Sequence, residues 1–555
     1  MRARSAPACT GTFEPISAQD FVDAMNPAWN LGNTLDAVED EGDWNNPPVQ
    51  DYTFDDVIAA GFKGVRIPIT WAYHFVSESP DWTVDPEWLQ RVEDVVDMAV
   101  SRGLPTIVNV HHDSWIWADV SLDDAHIDMI EERFYQLWYQ IGQKLGCKSQ
   151  LLAFEPLNEP AGSTQEHAQE YNKMNEIFLK ALKDAGGLNS QRVVTLVGLN
   201  MDAGKTSQWF EPPTINFTNP WALQYHYYSP YDFIFSAWGK TIWGSDNDKT
   251  ALDTDLSIMR NNFTNIPLII GEYAASPVAT ETAARWKWLD YFVRAAVKYN
   301  TPTVLWDNGN DFLDRSTHTW HDRSAIDIIT NATAGIANSL ADSTVDPNAD
   351  TQWTSAYVFH EVGDGVGEQS LPFIFNGNSV VSIFTIEGDE LLEDDYSISD
   401  DSITLSAEFL SQYFSTDGAP GVKGEVLVSF SAGADLGIQI VQWDTPILGT
   451  TSASLFSVQG SDLYIPIEWA GLSKPATVKI MRRDGTIVFD DWTQWLGPLQ
   501  QGRATYSNQW NWDDSNLIVA LSAISTIAST NQTTWFEWEF YPRVPGNTVN
   551  YTLNT

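Results

Sequence analysis

Basic residues are scarce in this chain of 555 residues. Lys and Arg number 30 against 74 Asp and Glu, a formal net charge of −44 at pH 7. A surface of that sign repels nucleic-acid phosphates and anionic membranes, so neither is expected as a partner and a neutral ligand is favoured. Acidity also aids solubility, and that role alone suffices to explain it. Only two cysteines occur, Cys9 and Cys147, which excludes a Cys-rich scaffold. No apolar run approaches the ~20 residues that a membrane helix needs. Met1 to Pro7 hold no apolar signal-peptide core, so any such signal has been removed or replaced.

What is present points to a large, ordered protein. Hydrophobic residues make up 43% of the chain, enough for an extensive core, and its length implies about three or four domains. There are 25 Trp, more than cores require, and neutral sugars are bound largely by stacking on such rings. Asn-x-Ser/Thr sequons begin at Asn216, Asn262, Asn331, Asn531 and Asn550. Together with so few cysteines they suit a secreted, glycosylated protein.

Apolar runs recur through residues 28–33, 64–68, 106–113, 151–160, 192–199, 223–229, 266–273 and 303–308. Helix-like stretches separate them, as at residues 86–102, 128–145 and 281–298, where apolar positions follow helical spacing. Eight strands alternating with helices over about 320 residues predict a (β/α)8 TIM barrel. Asn33, Arg66, His111, Asn158, Glu159, His226, Tyr228, Glu272 and Trp306 collect at the strands' C-terminal ends, where such barrels keep their chemistry. Two all-β sandwich modules follow. The expected boundaries are 1–348 for the barrel, 349–445 for an antiparallel sandwich with a spacer role, and 446–555 for a second, Trp-rich sandwich. Trp510 and Trp512 fit one strand face, whereas Trp535 and Trp538 do not.

The run Leu151-Leu152-Ala153-Phe154-Glu155-Pro156-Leu157-Asn158-Glu159-Pro160 reads as a strand that surfaces with a carboxylate at its exit. Glu272, after Gly271 at the seventh strand, supplies a second carboxylate. Two carboxyls at one barrel mouth suit hydrolysis of a glycosidic bond, one as proton donor and the other as nucleophile or stabiliser. Gly271 removes a side chain where backbone or sugar must come close. Arg66 is a partner that keeps a neighbouring carboxylate ionised. Glu155, inside the fourth strand, needs a cation such as Arg66 or Lys63. His111, His112 and Asp113 offer metal-ligand chemistry, but consecutive residues of a strand alternate faces, so no metal and no cofactor is expected.

The series Trp29-Asn30-Leu31-Gly32-Asn33, Gly64-Val65-Arg66-Ile67-Pro68, Val108-Asn109-Val110-His111-His112-Asp113, Asn158-Glu159-Pro160, His226-Tyr227-Tyr228, Gly271-Glu272-Tyr273 and Leu305-Trp306-Asp307 resembles glycoside hydrolase family 5. Within it the chain looks like the endo-β-1,4-glucanase and xyloglucanase branch, subfamily 4. The resemblance implies that Glu159 is the acid/base and Glu272 the nucleophile of a retaining double displacement. Asn158 would bond the 2-hydroxyl of the cleaved sugar, and Arg66 and Tyr228 would hold Glu272. His111, His112 and His226 would line the cleavage subsite over a Trp306 floor, while Asn33 and Asp36 would reach hydroxyls further along. The middle segment resembles an immunoglobulin-like module and the last a carbohydrate-binding module of family 46.

The expected activity is therefore a secreted, monomeric endo-hydrolase of β-1,4-glucans (cellulose, mixed-linkage glucan, xyloglucan). A β-mannanase of the same family, a polysaccharide-binding barrel without activity, and a metal-dependent hydrolase using His111, His112 and His226 stand as alternatives. Cys147 ends the helix before strand four and Cys9 precedes strand one, both at the barrel bottom. A Cys9–Cys147 disulfide and two free thiols both remain open.

Overall fold

Short apolar stretches build the eight strands of a closed parallel barrel: β1 Ala28–Asn30, β2 Gly64–Ile67, β3 Thr106–Asn109, β4 Leu152–Glu155, β5 Val194–Val197, β6 Trp221–His226, β7 Leu268–Tyr273 and β8 Thr303–Leu305. The computed structural model describes residues 9–10, 13–458, 460–530 and 532–555, so the sequon at Asn531 lies outside the described residues. Each strand pairs with its successor and β8 closes on β1. Strands buried on both faces need no polar alternation, and nearly every residue of the eight is buried.

The strands are shorter than the apolar runs suggested. The run at 106–113 stops at Asn109, and Asp113–Ile116 forms a helical turn. Ladder pairing ends there because polar side chains take the backbone's partners: the Ile69 amide donates to Asn109 Oδ1 rather than to a strand carbonyl. Asn33, His111, His112, Asn158, Glu159, Tyr228 and Trp306 consequently sit on the loops just past the strand ends, where a parallel barrel presents its chemistry.

At the opposite end a helix, Ala18–Met25, is capped by Ser17 Oγ, which accepts from the Asp20 amide. Its Phe21, Val22 and Met25 pack with Ala28, Ile107, Ala153, Ala222, Ile269 and Val304 and seal the barrel floor. Cys9 and Cys147 meet there as a disulfide with Cα atoms 5.1 Å apart, closing a separation of 138 residues.

The chain divides into two compact units. The first takes the described residues up to Tyr228 with Ala251–Ala274 and Val293–Asp322, and so holds all eight strands; the second takes Ser229–Thr250, Ala275–Phe292 and Arg323–Thr555. Two β-sandwiches occupy most of the second unit, each of two four-stranded sheets. The first is not wholly antiparallel as expected: Tyr357–Glu361 runs parallel to Leu436–Trp443; in the second, Ser452–Ser454 runs parallel to Thr548–Asn554. The last sandwich also holds a helix, Leu521–Thr530, whose Ala523, Ile524 and Ile527 join its core. Trp510 and Trp538 fill that core, whereas Trp492, Trp495 and Trp535 are exposed.

A buried ion cluster ties this sandwich to the 229–250 segment. Glu539 bonds both Arg503 and Arg543, and Arg543 also donates to the Gly239 carbonyl and to Thr241 Oγ1 at 2.6 Å. Nearby, Trp238 meets Trp492 edge-on at 4.6 Å and donates its Nε1–H to Asp490. Burial alone would raise the Glu539 pKa, but the two guanidiniums hold it below its ordinary 4.5. A depressed folded-state pKa stabilises above the unfolded value and loses that contribution as pH falls through the folded one. Glu539→Gln should therefore cost the second unit about 3–5 kcal/mol at neutral pH. Unfolding followed by tryptophan fluorescence should show wild type and variant converging below pH 4.5. A pH-independent gap would remove this ion cluster as the cause.

Candidate functional site

Barrel interiors are packed layers of side chains, and the uppermost layer here is polar. Arg66 on β2 lies at its centre with no exposed surface. Its five N–H donors find five acceptors: Nε and Nη2 reach the two oxygens of Glu155 at 2.7 Å each, and Nη2 also reaches Asn158 Oδ1 at 2.8 Å. Nη1 donates to Asn30 Oδ1 at 2.9 Å and to Glu272 Oε1 at 2.6 Å. A guanidinium offers five N–H groups in a fixed fork, so the charge is fully partnered although dry. Its carboxylate neighbours, working against burial, raise the Arg66 pKa and keep it charged.

Glu155 is as completely satisfied. Besides Arg66 it accepts from Asn109 Nδ2 at 3.0 Å and from Gln224 Nε2 at 2.7 Å. Burial opposes its ionisation, yet Arg66 and the Asn109 bond hold its pKa below the usual range. Of the two cations considered from sequence, Arg66 is the partner and Lys63 is exposed. Gly271 is required by the same layer: a Cβ there would lie 2.3 Å from Gln224 Nε2. The close approach seen there is made by a side chain.

Above this layer Glu272, on β7, accepts from Arg66 through Oε1 and from Tyr228 Oη through Oε2 at 2.9 Å. Glu159 stands across from it in the left-handed region, with φ 39°, a conformation that costs a non-glycine residue energy. Its amide donates to Met201 Sδ and its Oε1 is 2.8 Å from His226 Nδ1. His226 Nδ1 is also 3.6 Å from Glu272 Oε2. One oxygen of Glu159 and one of Glu272 lie within 4.8 Å of each other and of His226. Burial, reinforced by Glu159, raises the Glu272 pKa, although His226 and Arg66 pull against it. Burial followed by the two carboxylates pushes Tyr228 well above its ordinary value, so it stays a donor.

The remaining candidates form one wall and rim. His111 is buried and lies parallel to Trp306, ring centroids 5.8 Å apart, with Nδ1 accepting from Asn109. Burial, then His112, Arg66 and His226, lower its pKa far enough to keep the ring neutral. His112 donates through Nδ1 to the Asp36 carbonyl at 2.8 Å. Asn33 is half-exposed and donates to Asn45. Asp36 departs from the expected outward reach. It is wholly buried, its Oδ1 taken by the Thr34 amide and its Oδ2 unpartnered. Asp36, His111 and His112 also bring ligand-type atoms within 4.8 Å. The strand-alternation argument against such a grouping fails because both histidines lie past the end of β3.

Sequence reading did not single out Asn30, Asn109 and Gln224, although each interrupts an apolar strand. Nor did it find Trp44 and Trp115, 39% and 50% exposed, whose rings lie 5.4 and 5.1 Å from that of His112. Their signal is diluted by the 25 tryptophans of the chain.

A closed parallel barrel with two carboxyls and an indole beyond the strands' C-terminal ends is an arrangement that suits a glycosidase. The model of Cellulase (glycosyl hydrolase family 5) matches residues 25–312, and that of Carbohydrate binding domain X2 matches residues 352–440. The chain is 32% identical to a tri-modular GH5 (subfamily 4) endo-β-1,4-glucanase from Bacillus licheniformis, over 97% of this chain and 100% of that one, with a TM-score of 0.84; that enzyme is also known complexed with cellotetraose. Endoglucanase B of Paenibacillus lautus is 26% identical over 97% of this chain and 92% of its own. A GH5-4 broad specificity endoglucanase from Clostridium acetobutylicum is 29% identical over 57% of this chain and 99% of its own, with a TM-score of 0.53. The chain belongs to glycosyl hydrolase family 5, with structural neighbours in subfamily 4. The middle sandwich, read from patterning as a spacer, carries a carbohydrate-binding family signature.

Arg66→Lys tests the cluster apart from any reaction. An ammonium has three donors and no fork, which leaves Glu155 buried and underpartnered, so the barrel should lose about 3–5 kcal/mol. Chemical denaturation measures it, and wild-type stability in the variant would show that the five-acceptor arrangement is not what holds the layer.

Proposed function

We propose that the chain is a secreted endo-acting, retaining β-1,4-glucanase with Glu159 as acid/base and Glu272 as nucleophile. The observation that carries this reading is the spacing: carboxyl oxygens within 4.8 Å of each other suit direct attack by one of them. An inverting pair needs about 6.5–9.5 Å to admit a water between carboxylate and sugar.

Glu159 protonates the glycosidic oxygen while Glu272 attacks the anomeric carbon, and a covalent glycosyl-enzyme forms as the leaving chain departs. Glu159, now a carboxylate, takes a proton from water. The water oxygen attacks the same carbon, Glu272 leaves, and the sugar is released with its original configuration. Arg66 and Tyr228 fix Glu272 in its line of attack, and the Arg66 bond to Asn158 Oδ1 turns the Asn158 amide N–H toward the 2-hydroxyl. His226, with Nδ1 2.8 Å from Glu159 Oε1, lines the cleavage subsite together with His111 and His112. The half-exposed Trp306 ring, backed by His111, is the floor on which a glucose face stacks. Asn33 reaches a sugar further along, and Asp36 acts from behind by holding the loop.

The endoglucanase relatives support a β-1,4-glucan substrate. The broad specificity of the C. acetobutylicum enzyme supports action on more than one β-glucan; cellulose, mixed-linkage glucan and xyloglucan are the proposed ones. The disulfide favours an oxidising compartment, and the exposed sequons at Asn216, Asn262 and Asn550 suit a glycosylated secreted chain.

Glu159→Gln should cut turnover of soluble β-glucan by ~10²–10⁴, and azide should restore turnover of an activated aryl cellobioside by replacing the base-assisted water. Near-normal polysaccharide turnover in the variant would overturn the assignment. Initial rates on xyloglucan, carboxymethylcellulose, mixed-linkage glucan and mannan decide the substrate, with mannan expected last.

A further inference from the structure

We propose that Glu155, which touches neither substrate nor Glu272, is a positioning residue that sets the basicity of Glu272 through their shared guanidinium. This rests on the double-displacement reading and adds a second determinant of nucleophile strength to it.

Glu155 and Glu272 are held by different arms of Arg66: Nε and Nη2 serve Glu155, whereas Nη1 serves Glu272 at 2.6 Å. With Glu272 as its only anionic partner, Arg66 would place an undivided positive charge against the attacking oxygen, where the low dielectric strengthens it. A carboxylate stabilised that strongly is a weak nucleophile. Glu155 divides the charge. It is wholly buried, it is held ionised, and each of its four acceptor positions is filled, by Arg66 twice, Asn109 and Gln224. It cannot rotate toward Glu272, and water does not screen it.

The charged and titratable groups facing Glu272 are Arg66 from β2, Glu159 beyond β4, and His226 and Tyr228 at the end of β6. Those facing Glu155 are Arg66 and, as a lesser electrostatic neighbour, His226. Among the described residues Arg66 is the one group that donates to both carboxylates, so removing the Glu155 charge is felt at Glu272 chiefly as a stronger pull from Arg66. The sign follows: the Glu272 pKa falls.

The test uses the full chain and 2,4-dinitrophenyl β-cellobioside, whose aglycone leaves without a proton from Glu159, so that kcat/KM reports attack by Glu272. The acidic limb of kcat/KM against pH belongs to the free enzyme. In Glu155→Gln it should move down by about one pH unit, an effect of the size a neighbouring charge exerts. The plateau should fall ~10²-fold through lost alignment, with KM little changed. Glu155→Asp keeps the charge but draws it back from the guanidinium, and should move the limb the same way by less; it serves also if the Gln variant does not fold. Tyr228→Phe removes a donor to the ionised Glu272 and should move the limb up. A purely structural Glu155 would lower the rate and leave the limb in place, and an unmoved limb in either Glu155 variant overturns the proposal. If Glu272→Ala itself turns over the aryl cellobioside, the double-displacement reading fails instead.

Discussion

A single guanidinium carries the upper layer of the barrel. Burying a charge in a closed barrel is costly unless every donor is partnered, and Arg66 meets that condition with five acceptors drawn from β1, β4, β7 and the loop after β4. The requirement also runs outward. Glu155 needs Asn109 and Gln224, Gln224 needs a glycine at position 271, and Asn30 donates to the Gly271 carbonyl on β7. A change at any of these positions leaves a buried polar group unpaired, which is why the layer acts as a unit. The two carboxyls proposed to react stand on this platform, and their separation follows from it.

The barrel was legible because eight apolar runs at helix-containing intervals leave few alternatives, and because polar residues recur where each run ends. The positions of Glu159 and Glu272 at the barrel mouth were legible for the same reason: a carboxylate at the end of a buried strand must surface or be paired. Strand lengths were less so. Periodicity cannot distinguish a residue that continues a ladder from one, such as His111, whose amide is turned to the Ile69 carbonyl in the next loop. Asp36 differed in the opposite direction: the family resemblance implied that it reaches a sugar hydroxyl, yet the fold encloses it. The interior layer was the largest omission. Asn30, Asn109 and Gln224 look unremarkable singly, and only the closed topology shows that they converge on Glu155 and Arg66.

The second unit shows the same division between pattern and packing. Alternation placed Trp510 and Trp512 on one face and separated Trp535 from Trp538, and the structure puts Trp538 in the core and Trp535 outside. Parallel pairing at the ends of both sandwiches had no local signature, because it joins segments some 80 to 100 residues apart. The ion cluster of Arg503, Glu539 and Arg543 was equally hidden, yet it fixes the 229–250 segment to the last sandwich with a buried Arg543.

The central claim is that the carboxylate held by Arg66 and Tyr228 attacks the sugar. A 2-deoxy-2-fluoro-β-cellobioside with a dinitrophenyl leaving group tests it directly, since the fluorine slows both steps through their oxocarbenium-like transition states while the activated leaving group restores the first, so the intermediate accumulates. Incubation followed by peptide mass spectrometry should find one fluorocellobiosyl group per chain, on Glu272. An adduct on Glu159 or another carboxylate, or no adduct on an enzyme that hydrolyses the parent cellobioside, would contradict the account.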